Sequence, residues 1–230
     1  IMIVTWVGYM GGVAKSVFPD PIAAGVAGAA GESVSRSKAS TSHMSTTSSG
    51  TDTYVPEVTK KDFRAVILGP SSGWKNYRHQ SDALTVYRLL RGNGIDDDHI
   101  ILMTYDDIPT LPENPLRGDI HNTPKGTNIR SGAVLDYSGR DVTSETLKNV
   151  LTGTTSRAAP VVLESNESTD VFVYIASHGS PGEIIFRWND SFTTEDFTEI
   201  TDTMRRNRQY RQIVFVVDTC FGESIATNAT

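Results

Sequence analysis

Two reactive side chains stand just after apolar stretches of this chain. His178 follows the run 171–176, and Cys220 follows the run 213–217. Both runs are rich in β-branched and aromatic residues, which is typical of buried strands. Because the carboxyl ends of parallel strands meet at one edge of a sheet, we expect His178 and Cys220 to lie close together.

A cysteine beside a histidine is the pair that cysteine hydrolases use. The thiolate attacks a carbonyl carbon, and a nearby imidazole generates that thiolate. Because Gly179 has no side chain, its N–H can approach a substrate carbonyl closely and donate a hydrogen bond to it. The N–H of Cys220 supplies a second donor, and together the two form an oxyanion hole. The alternative is a buried structural cysteine and a histidine that serves only a turn. The motifs around the two residues, Ser177-His-Gly-Ser and Asp218-Thr-Cys-Phe-Gly, favour the catalytic interpretation.

Alternating strand and helix patterns predict the elements that position these side chains. Strands are predicted at 64–69, 99–104, 171–176 and 213–217, and helices at 78–91, 143–151 and 194–206. This order predicts an α/β fold with a mostly parallel sheet of at least four strands. A long loop with four prolines is expected at 105–141, and a hairpin around 180–182.

Charge and cysteine content narrow the class of protein. The net charge of −6 gives no indication of nucleic-acid or anionic-membrane binding, so we expect no nucleic-acid partner. A single cysteine excludes an intrachain disulfide framework and a cysteine-based zinc site. The five histidines are scattered along the sequence, and we therefore expect no metal and no cofactor.

The composition predicts three segments. Residues 1–31 form an apolar, Gly/Ala-rich leader, interrupted by charges and prolines so that no complete membrane-spanning helix is supported. A signal or anchor remnant and a poorly ordered leader both stay open for it. Residues 32–57 are Ser/Thr-rich and are predicted to be a disordered linker, because they have almost no large apolar side chain to bury. The globular domain is predicted over 58–230.

Motifs over about residues 62–224 resemble, in order, the legumain-type (C13) cysteine peptidases. This family includes asparaginyl endopeptidases and the catalytic subunit of the glycosylphosphatidylinositol transamidase. The matching stretches are Trp74-Lys-Asn-Tyr-Arg-His-Gln-Ser-Asp, Asn93-Gly-Ile-Asp-Asp-Asp-His-Ile, Met103-Thr-Tyr-Asp-Asp, Asn114-Pro, Lys125-Gly-Thr, Asp136-Tyr-Ser-Gly-Arg-Asp-Val-Thr, His178-Gly-Ser and Asp218-Thr-Cys.

The resemblance implies a caspase-like three-layer α/β sandwich with a mostly parallel central sheet. It implies that Cys220 is the nucleophile, His178 its partner and Asn76 an auxiliary catalytic residue. The N–H groups of Gly179 and Cys220 are the implied oxyanion hole. We expect this peptidase domain to be truncated at its C-terminal side, with open sheet edges and an incomplete specificity pocket.

The resemblance also implies a substrate pocket. Arg78 and Asp218 match the residues that line the pocket for an Asn side chain in legumains. His79 lies beside this pocket, and two roles stay open for it: substrate binding, or a structural role at the start of a helix. A cation and a carboxylate together complement a carboxamide, which is both a hydrogen-bond acceptor and a donor. The chain departs from legumains at two positions, where Asp218 replaces a Glu and Ser177 replaces an Asp.

Three functions follow from this pattern. The first is a cysteine endopeptidase that cleaves a peptide or protein substrate after Asn. The alternative is a transamidase-like acyl transferase, which the Asp218-Thr-Cys motif suggests, and the third is an inactive caspase-like binding module. A prodomain is the expected partner of a protease, whereas membrane subunits are expected for a transamidase. The implied location is secretory, vacuolar or lysosomal for a protease and membrane-associated for a transamidase.

Overall fold

The computed structural model describes residues 63–187 and 189–227 and the backbone of a strand at Met2–Tyr9. The linker predicted at 32–57 and the rest of the leader at 1–31 lie outside the described residues. Within the described parts of the chain, no helix is long and apolar enough to cross a membrane.

A six-stranded sheet forms the centre of the domain. Its strands are β1 (Met2–Tyr9), β2 (Phe63–Gly69), β3 (Ile100–Thr104), β4 (Tyr137–Ser138), β5 (Asp170–Ala176) and β9 (Gln212–Thr219). Three further strands, which lie between β5 and β9 in the sequence, form a separate sheet. The spatial order is β1-β9-β5-β2-β3-β4, and all neighbours are parallel except β1 and β9. The predicted α/β fold with a mostly parallel sheet is confirmed.

Strand β1 lies where no strand was predicted. It pairs antiparallel with β9, from Met2 opposite Thr219 to Tyr9 opposite Gln212. The strand that leads to Cys220 therefore has a neighbour on both sides. The open edge that we expected beside it is occupied, because β1 takes up the ladder hydrogen bonds of β9 that β5 does not use.

Three helices cover the sheet: α1 (Tyr77–Gly92), α2 (Ser144–Thr152) and α3 (Thr194–Arg206). Thr143 caps α2 by accepting a hydrogen bond from the backbone N–H of Thr146, and Gly153 ends it in the left-handed region at φ 68°. At α3, Thr193 and Asp196 form a reciprocal capping box. These caps explain why the helices begin and end close to the predicted positions.

The helices lie on both faces of the sheet. On one face, Val173 and Phe215 belong to a single buried cluster with Leu147 of α2 and Phe197 of α3. The other face packs against α1, which contacts β2, β5 and β3. The approach is closest at Gly69, where a methyl group would lie 2.8 Å from the carbonyl oxygen of His79. The resulting three layers agree with the caspase-like architecture that the motifs implied.

A small antiparallel sheet follows β5. It consists of β6 (His178–Ser180), β7 (Glu183–Arg187) and β8 (Asp190–Thr193). The predicted hairpin around 180–182 is confirmed, with His178 opposite Ile185 and Gly182 in the turn at φ 82°. His178 thus stands where the chain leaves the parallel sheet and enters this hairpin.

The long stretch 105–141 is held by its own polar contacts. Buried Asn114 donates to the carbonyl oxygens of Ile108 and Asp119, at 3.0 Å each. Arg130 forms two hydrogen bonds to the carboxylate of Asp106, at 2.6 and 2.8 Å. These contacts give the stretch a defined conformation beside β3.

Candidate active site

The carboxyl ends of β2, β5 and β9 bring the candidate catalytic residues to one edge of the sheet. In the β5–β9 pair, Ala176 lies opposite Asp218, and the N–H of Ser177 donates to the carbonyl oxygen of Asp218 at 3.2 Å. The segments that carry His178 and Cys220 are therefore neighbours, as expected from the two apolar runs.

His178 and Asn76 form a hydrogen bond of 2.7 Å between Nε2 and Oδ1. The amide nitrogen of Asn76 donates to the carbonyl oxygen of Ser72 at 2.7 Å, so its Oδ1 can only accept. His178 must therefore carry its proton on Nε2, which leaves the lone pair of Nδ1 free to accept a proton. Burial, and then the positive charge of Arg78, lower the pKa of His178 below its ordinary value. The neutral imidazole is a base.

Cys220 is exposed, in a tight turn after β9. The next residue, Phe221, is also exposed and adopts a left-handed φ of 56°, which reverses the chain into the short helical turn Gly222–Ala226. Gly179 lies so close to this turn that any side chain at that position would overlap the carbonyl oxygen of Cys220. The residue after His178 therefore has a steric reason to be glycine.

Ser224 links the hairpin of His178 to the turn of Cys220. Its hydroxyl accepts a hydrogen bond from the N–H of Gly182 at 2.8 Å and donates to the carbonyl oxygen of Phe221 at 2.6 Å. Thr194, at the start of α3, shares its hydroxyl between the carbonyl oxygens of Gly182 and Ser224, at 3.2 Å each. The two segments are thus held together beyond the sheet edge.

A charged cluster lies on the α1 side of the same edge, and we define it as Arg78, Asp82, Asp218 and Tyr174. The hydroxyl of Tyr174 donates to Oδ2 of Asp218 at 3.2 Å. Burial raises the pKa of Asp82 to about 6, the negative charge of Asp218 adds to this rise, and the positive charge of Arg78 opposes it. The cluster combines one exposed cation with two carboxylates and a buried phenol.

Two members of this cluster, Asp82 and Tyr174, were not predicted as site residues. Asp82 lies four positions after Arg78, so both occupy one face of α1. That spacing could have indicated Asp82 from the sequence. Tyr174 lies inside an apolar strand, and only the register between β5 and β9 brings its hydroxyl to Asp218.

His79 is placed differently from Arg78, although the two are adjacent in sequence. Arg78 is exposed, whereas the His79 residue is only 3% exposed. Nδ1 of His79 lies 2.8 Å from the hydroxyl of Ser71, and its ring stands edge-to-face with that of His178, with centroids 4.7 Å apart. The structure therefore places His79 behind His178, in the interior.

Two cavities flank the turn that carries Asn76. The first, with a volume of about 490 Å³, is lined by Ser71, Ser72, Asn76, His178, Ile185, Phe186, Arg187 and Asn189. The second, with a volume of about 460 Å³, lies against Trp74 and Tyr77 and the stretch 114–124. The first cavity therefore borders both His178 and Asn76.

In the described part of the chain, no group of three or more His, Cys, Asp or Glu side chains could hold a metal ion. The residues brought together at the sheet edge are a thiol, an imidazole, an amide and the charged cluster. A thiol beside an imidazole is a set that can carry out nucleophilic acyl transfer.

Comparison with known proteins gives one family and several relatives. The model of the peptidase C13 family matches residues 63–230. Legumain from Pongo abelii is 39% identical over 159 residues, which are 67% of this chain and 36% of that protein. Hemoglobinase from Schistosoma japonicum is 37% identical over 156 residues, 68% of this chain and 36% of that protein. The vacuolar-processing enzyme delta-isozyme from Arabidopsis thaliana is 35% identical over 159 residues, 68% of this chain and 34% of that protein.

Proposed function

This chain belongs to the peptidase C13 family, and on that premise we propose that the whole protein is a cysteine endopeptidase that cleaves peptide bonds after Asn. The observation that carries the proposal is the 2.7 Å hydrogen bond between His178 and Asn76, at the sheet edge where Cys220 also stands. The chain spans about a third of the length of its curated relatives. The names of these relatives favour a legumain-like protease, and nothing in the comparisons favours the transamidase alternative.

The proposed reaction begins with proton transfer. Nδ1 of His178 takes the proton of the Cys220 thiol, and the thiolate attacks the carbonyl carbon of the substrate. The resulting oxyanion accepts hydrogen bonds from the N–H groups of Gly179 and Cys220. The imidazolium then gives its proton to the leaving amine as the C–N bond breaks. Water, deprotonated by His178, hydrolyses the thioester and restores the thiol.

Asn76 supports this cycle by holding one tautomer of His178. Because its Oδ1 accepts the Nε2 proton, the free lone pair of the imidazole stays on Nδ1. The same hydrogen bond strengthens when His178 becomes charged during the reaction, since a charge-assisted bond is stronger than a neutral one. Asn76 therefore stabilises the charged intermediate as well as the correct resting state.

The proposed specificity comes from the charged cluster. The Arg78 guanidinium can donate to the oxygen of a substrate carboxamide, and the Asp218 carboxylate can accept from its nitrogen. Burial, and then the negative charge of Asp218, raise the pKa of Asp82 to about 6, so at neutral pH Asp82 adds a second negative charge to the cluster. A substrate Asp would bring a third carboxylate into this cluster, so Asn is favoured over Asp as long as these groups are ionised.

The direct test uses the full-length protein and fluorogenic peptides that differ only at the residue before the scissile bond. We expect the peptide with Asn to be cleaved, and the peptides with Asp or Gln to be cleaved at least about tenfold more slowly at neutral pH. Cys220→Ala should be inactive, and Cys220→Ser, which keeps the size of the side chain, is its matched control for folding. Equal cleavage by Cys220→Ala and the parent would overturn the assignment of the nucleophile.

A removable prodomain, rather than membrane subunits, is the partner that fits the protease proposal. Mass spectrometry of the full-length protein before and after incubation at acidic pH tests this point. A mass that falls in the parent but not in Cys220→Ala would support self-removal of such a segment. Co-purification of membrane proteins with an unprocessed chain would contradict it.

A further inference from the structure

Three buried polar side chains form a chain of hydrogen bonds behind His178. Ser71, His79 and Ser177 are each only 3 to 4% exposed. His79 Nδ1 lies 2.8 Å from Ser71 Oγ, which lies 3.2 Å from Ser177 Oγ, which in turn lies 2.5 Å from the carbonyl oxygen of Ile185. These hydrogen bonds join four separate segments of the protein: the loop after β2, the start of α1, the end of β5 and strand β7.

The direction of every hydrogen bond in this chain is determined from one end. The carbonyl oxygen of Ile185 can only accept, so the single hydroxyl hydrogen of Ser177 points to it. Ser177 must then accept from Ser71, which leaves the oxygen of Ser71 to accept from His79. His79 therefore carries its hydrogen on Nδ1.

His79 is also held in the neutral form. Burial, and then the positive charges of Arg78 and His178, lower the pKa of His79 to about 3. Near neutral pH the ring therefore adds no charge beside His178. A charged ring at this place would repel the imidazolium that His178 forms during the proposed reaction.

The two imidazole rings stand nearly perpendicular, at 82°, with centroids 4.7 Å apart. The hydrogen bond to Asn76 fixes the position of one ring atom of His178, Nε2, but leaves the ring free to tilt about that contact. A perpendicular ring packed against its surface opposes such a tilt. The hydrogen bond to Asn76 and the neighbouring ring of His79 therefore act together on the orientation of the free Nδ1.

From this geometry we infer that His79 is a positioning residue for His178, held in place by Ser71 and Ser177. The inference rests on the proposed function, in which His178 is the catalytic base. Ser177 acts in two ways. It directly precedes His178 in the backbone, and its hydroxyl anchors the series of hydrogen bonds to the carbonyl oxygen of Ile185 in β7.

The test compares kcat and KM for the Asn-containing peptide in single variants of the full-length protein. Ser71→Ala and Ser177→Ala should each lower kcat about tenfold and leave KM within about twofold, because a small misplacement of a catalytic group slows the chemical step rather than binding. Ser81→Ala is the matched control. It removes an equally buried hydroxyl of α1 that takes no part in this series of hydrogen bonds. The Ser81 hydroxyl donates instead to the backbone carbonyl oxygen of His121. Its kcat should not change.

Two substitutions at His79 separate the ring from its hydrogen bond. His79→Phe keeps an aromatic ring against His178 and should retain more activity than His79→Ala, for which we expect a loss in kcat of about a hundredfold. A raised KM with unchanged kcat in either variant would show that His79 contacts substrate and would overturn the inference. So would unchanged kcat in Ser71→Ala and Ser177→Ala.

A spectroscopic measurement keeps the test independent of activity and of the stability of the variants. In the full-length parent with ¹⁵N-labelled histidine, two-bond ¹H–¹⁵N correlations report the tautomer of each ring. We expect one neutral ring with its hydrogen on Nδ1 that stays neutral at pH 5, assigned by its absence in His79→Phe. An Nε2-protonated or charged His79 at that pH would overturn the inference. Lack of cleavage by a parent that shows the expected spectrum would count against the proposed function alone.

Discussion

His178 and Asn76 are 102 positions apart in the sequence and 2.7 Å apart in the fold, joined by a hydrogen bond whose direction is set by Ser72. The bond connects the loop after β2 to the strand end after β5. The backbone carbonyl of Ser72, the amide of Asn76 and the imidazole of His178 are thus joined by two hydrogen bonds, and the direction of each is fixed. The tautomer of His178 is therefore determined by a residue that the substrate need not touch.

Loss of this amide should affect the chemical step. In Asn76→Ala the acceptor for the Nε2 proton is missing, and both tautomers of His178 become accessible, so we expect kcat to fall by about ten- to a hundredfold. Asn76→Asp keeps an acceptor but adds a negative charge, which should raise the pKa of His178 and shift the acidic limb of the kcat/KM profile to higher pH. Asn149→Ala, which removes an amide from the surface of α2, is the control. An unshifted profile for Asn76→Asp would contradict this account.

The contact between Gly179 and the Cys220 carbonyl predicts an effect of a single methyl group. Gly179→Ala forces the hairpin away from the turn of Cys220, so we expect a loss of activity and a decrease in the free energy of unfolding of about 1–3 kcal/mol. Gly92→Ala is the matched control, since nothing lies within 4 Å of a methyl group there. Urea denaturation and peptide hydrolysis of both variants provide the measurement. A fully active Gly179→Ala protein would show that the hairpin tolerates displacement.

The charged cluster predicts a dependence of stability on pH. The pKa of Asp82 is raised from 3.8 to about 6 in the folded protein, so the folded state holds this proton more tightly than the unfolded state. The contribution of Asp82 to stability therefore decreases as the pH rises from about 4 to 6. After discounting for its partial exposure, we expect Asp82→Asn to be about 1 kcal/mol more stable than the parent above pH 6.

The measurement for Asp82 is the difference in unfolding free energy between Asp82→Asn and the parent at pH 4 and pH 7. The difference should be larger at pH 7. Asp141→Asn, which changes an exposed carboxylate outside the cluster, is measured beside it as the control. An equal difference at both pH values would exclude a raised pKa at Asp82.

The buried ring of His79 predicts the opposite trend with pH. Its pKa falls from 6.5 to about 3 on folding, so below pH 6.5 the unfolded state binds the proton more tightly. The parent should therefore lose stability as the pH falls from 6.5 towards 3, by about 2 kcal/mol at pH 5 from this group. His79→Phe should lose less between pH 7 and pH 5, as chemical denaturation can measure. Parallel losses in the two proteins would refute the assignment.

The main elements could be predicted from the sequence because their signals are local. The predicted strand 171–176 and helix 194–206 correspond to Asp170–Ala176 and Thr194–Arg206. Their signals are apolar runs, helical periodicity and capping residues, which act within a few positions. The placement of His178 and Cys220 at one edge followed from the strand order that these elements imply.

The remaining features depend on contacts between distant parts of the chain. Strand β1 is defined by its pairing with β9, more than 200 positions away, and a short apolar run does not reveal its partner. The direction of His79 depends on how α1 packs against Gly69, which turns this side chain inwards while Arg78 faces outwards. The two residues are adjacent in sequence, but packing makes one exposed and the other buried.

The bonds of Ser224 to Gly182 and Phe221 have a consequence for motion at the site. Because one hydroxyl joins the hairpin of His178 to the turn of Cys220, neither segment can open without breaking a contact of the other. Their backbone amides should therefore become accessible to solvent deuterium in a single cooperative event with a common free energy. The thiol and the imidazole would then be assembled or separated together, and half-formed catalytic pairs would be rare.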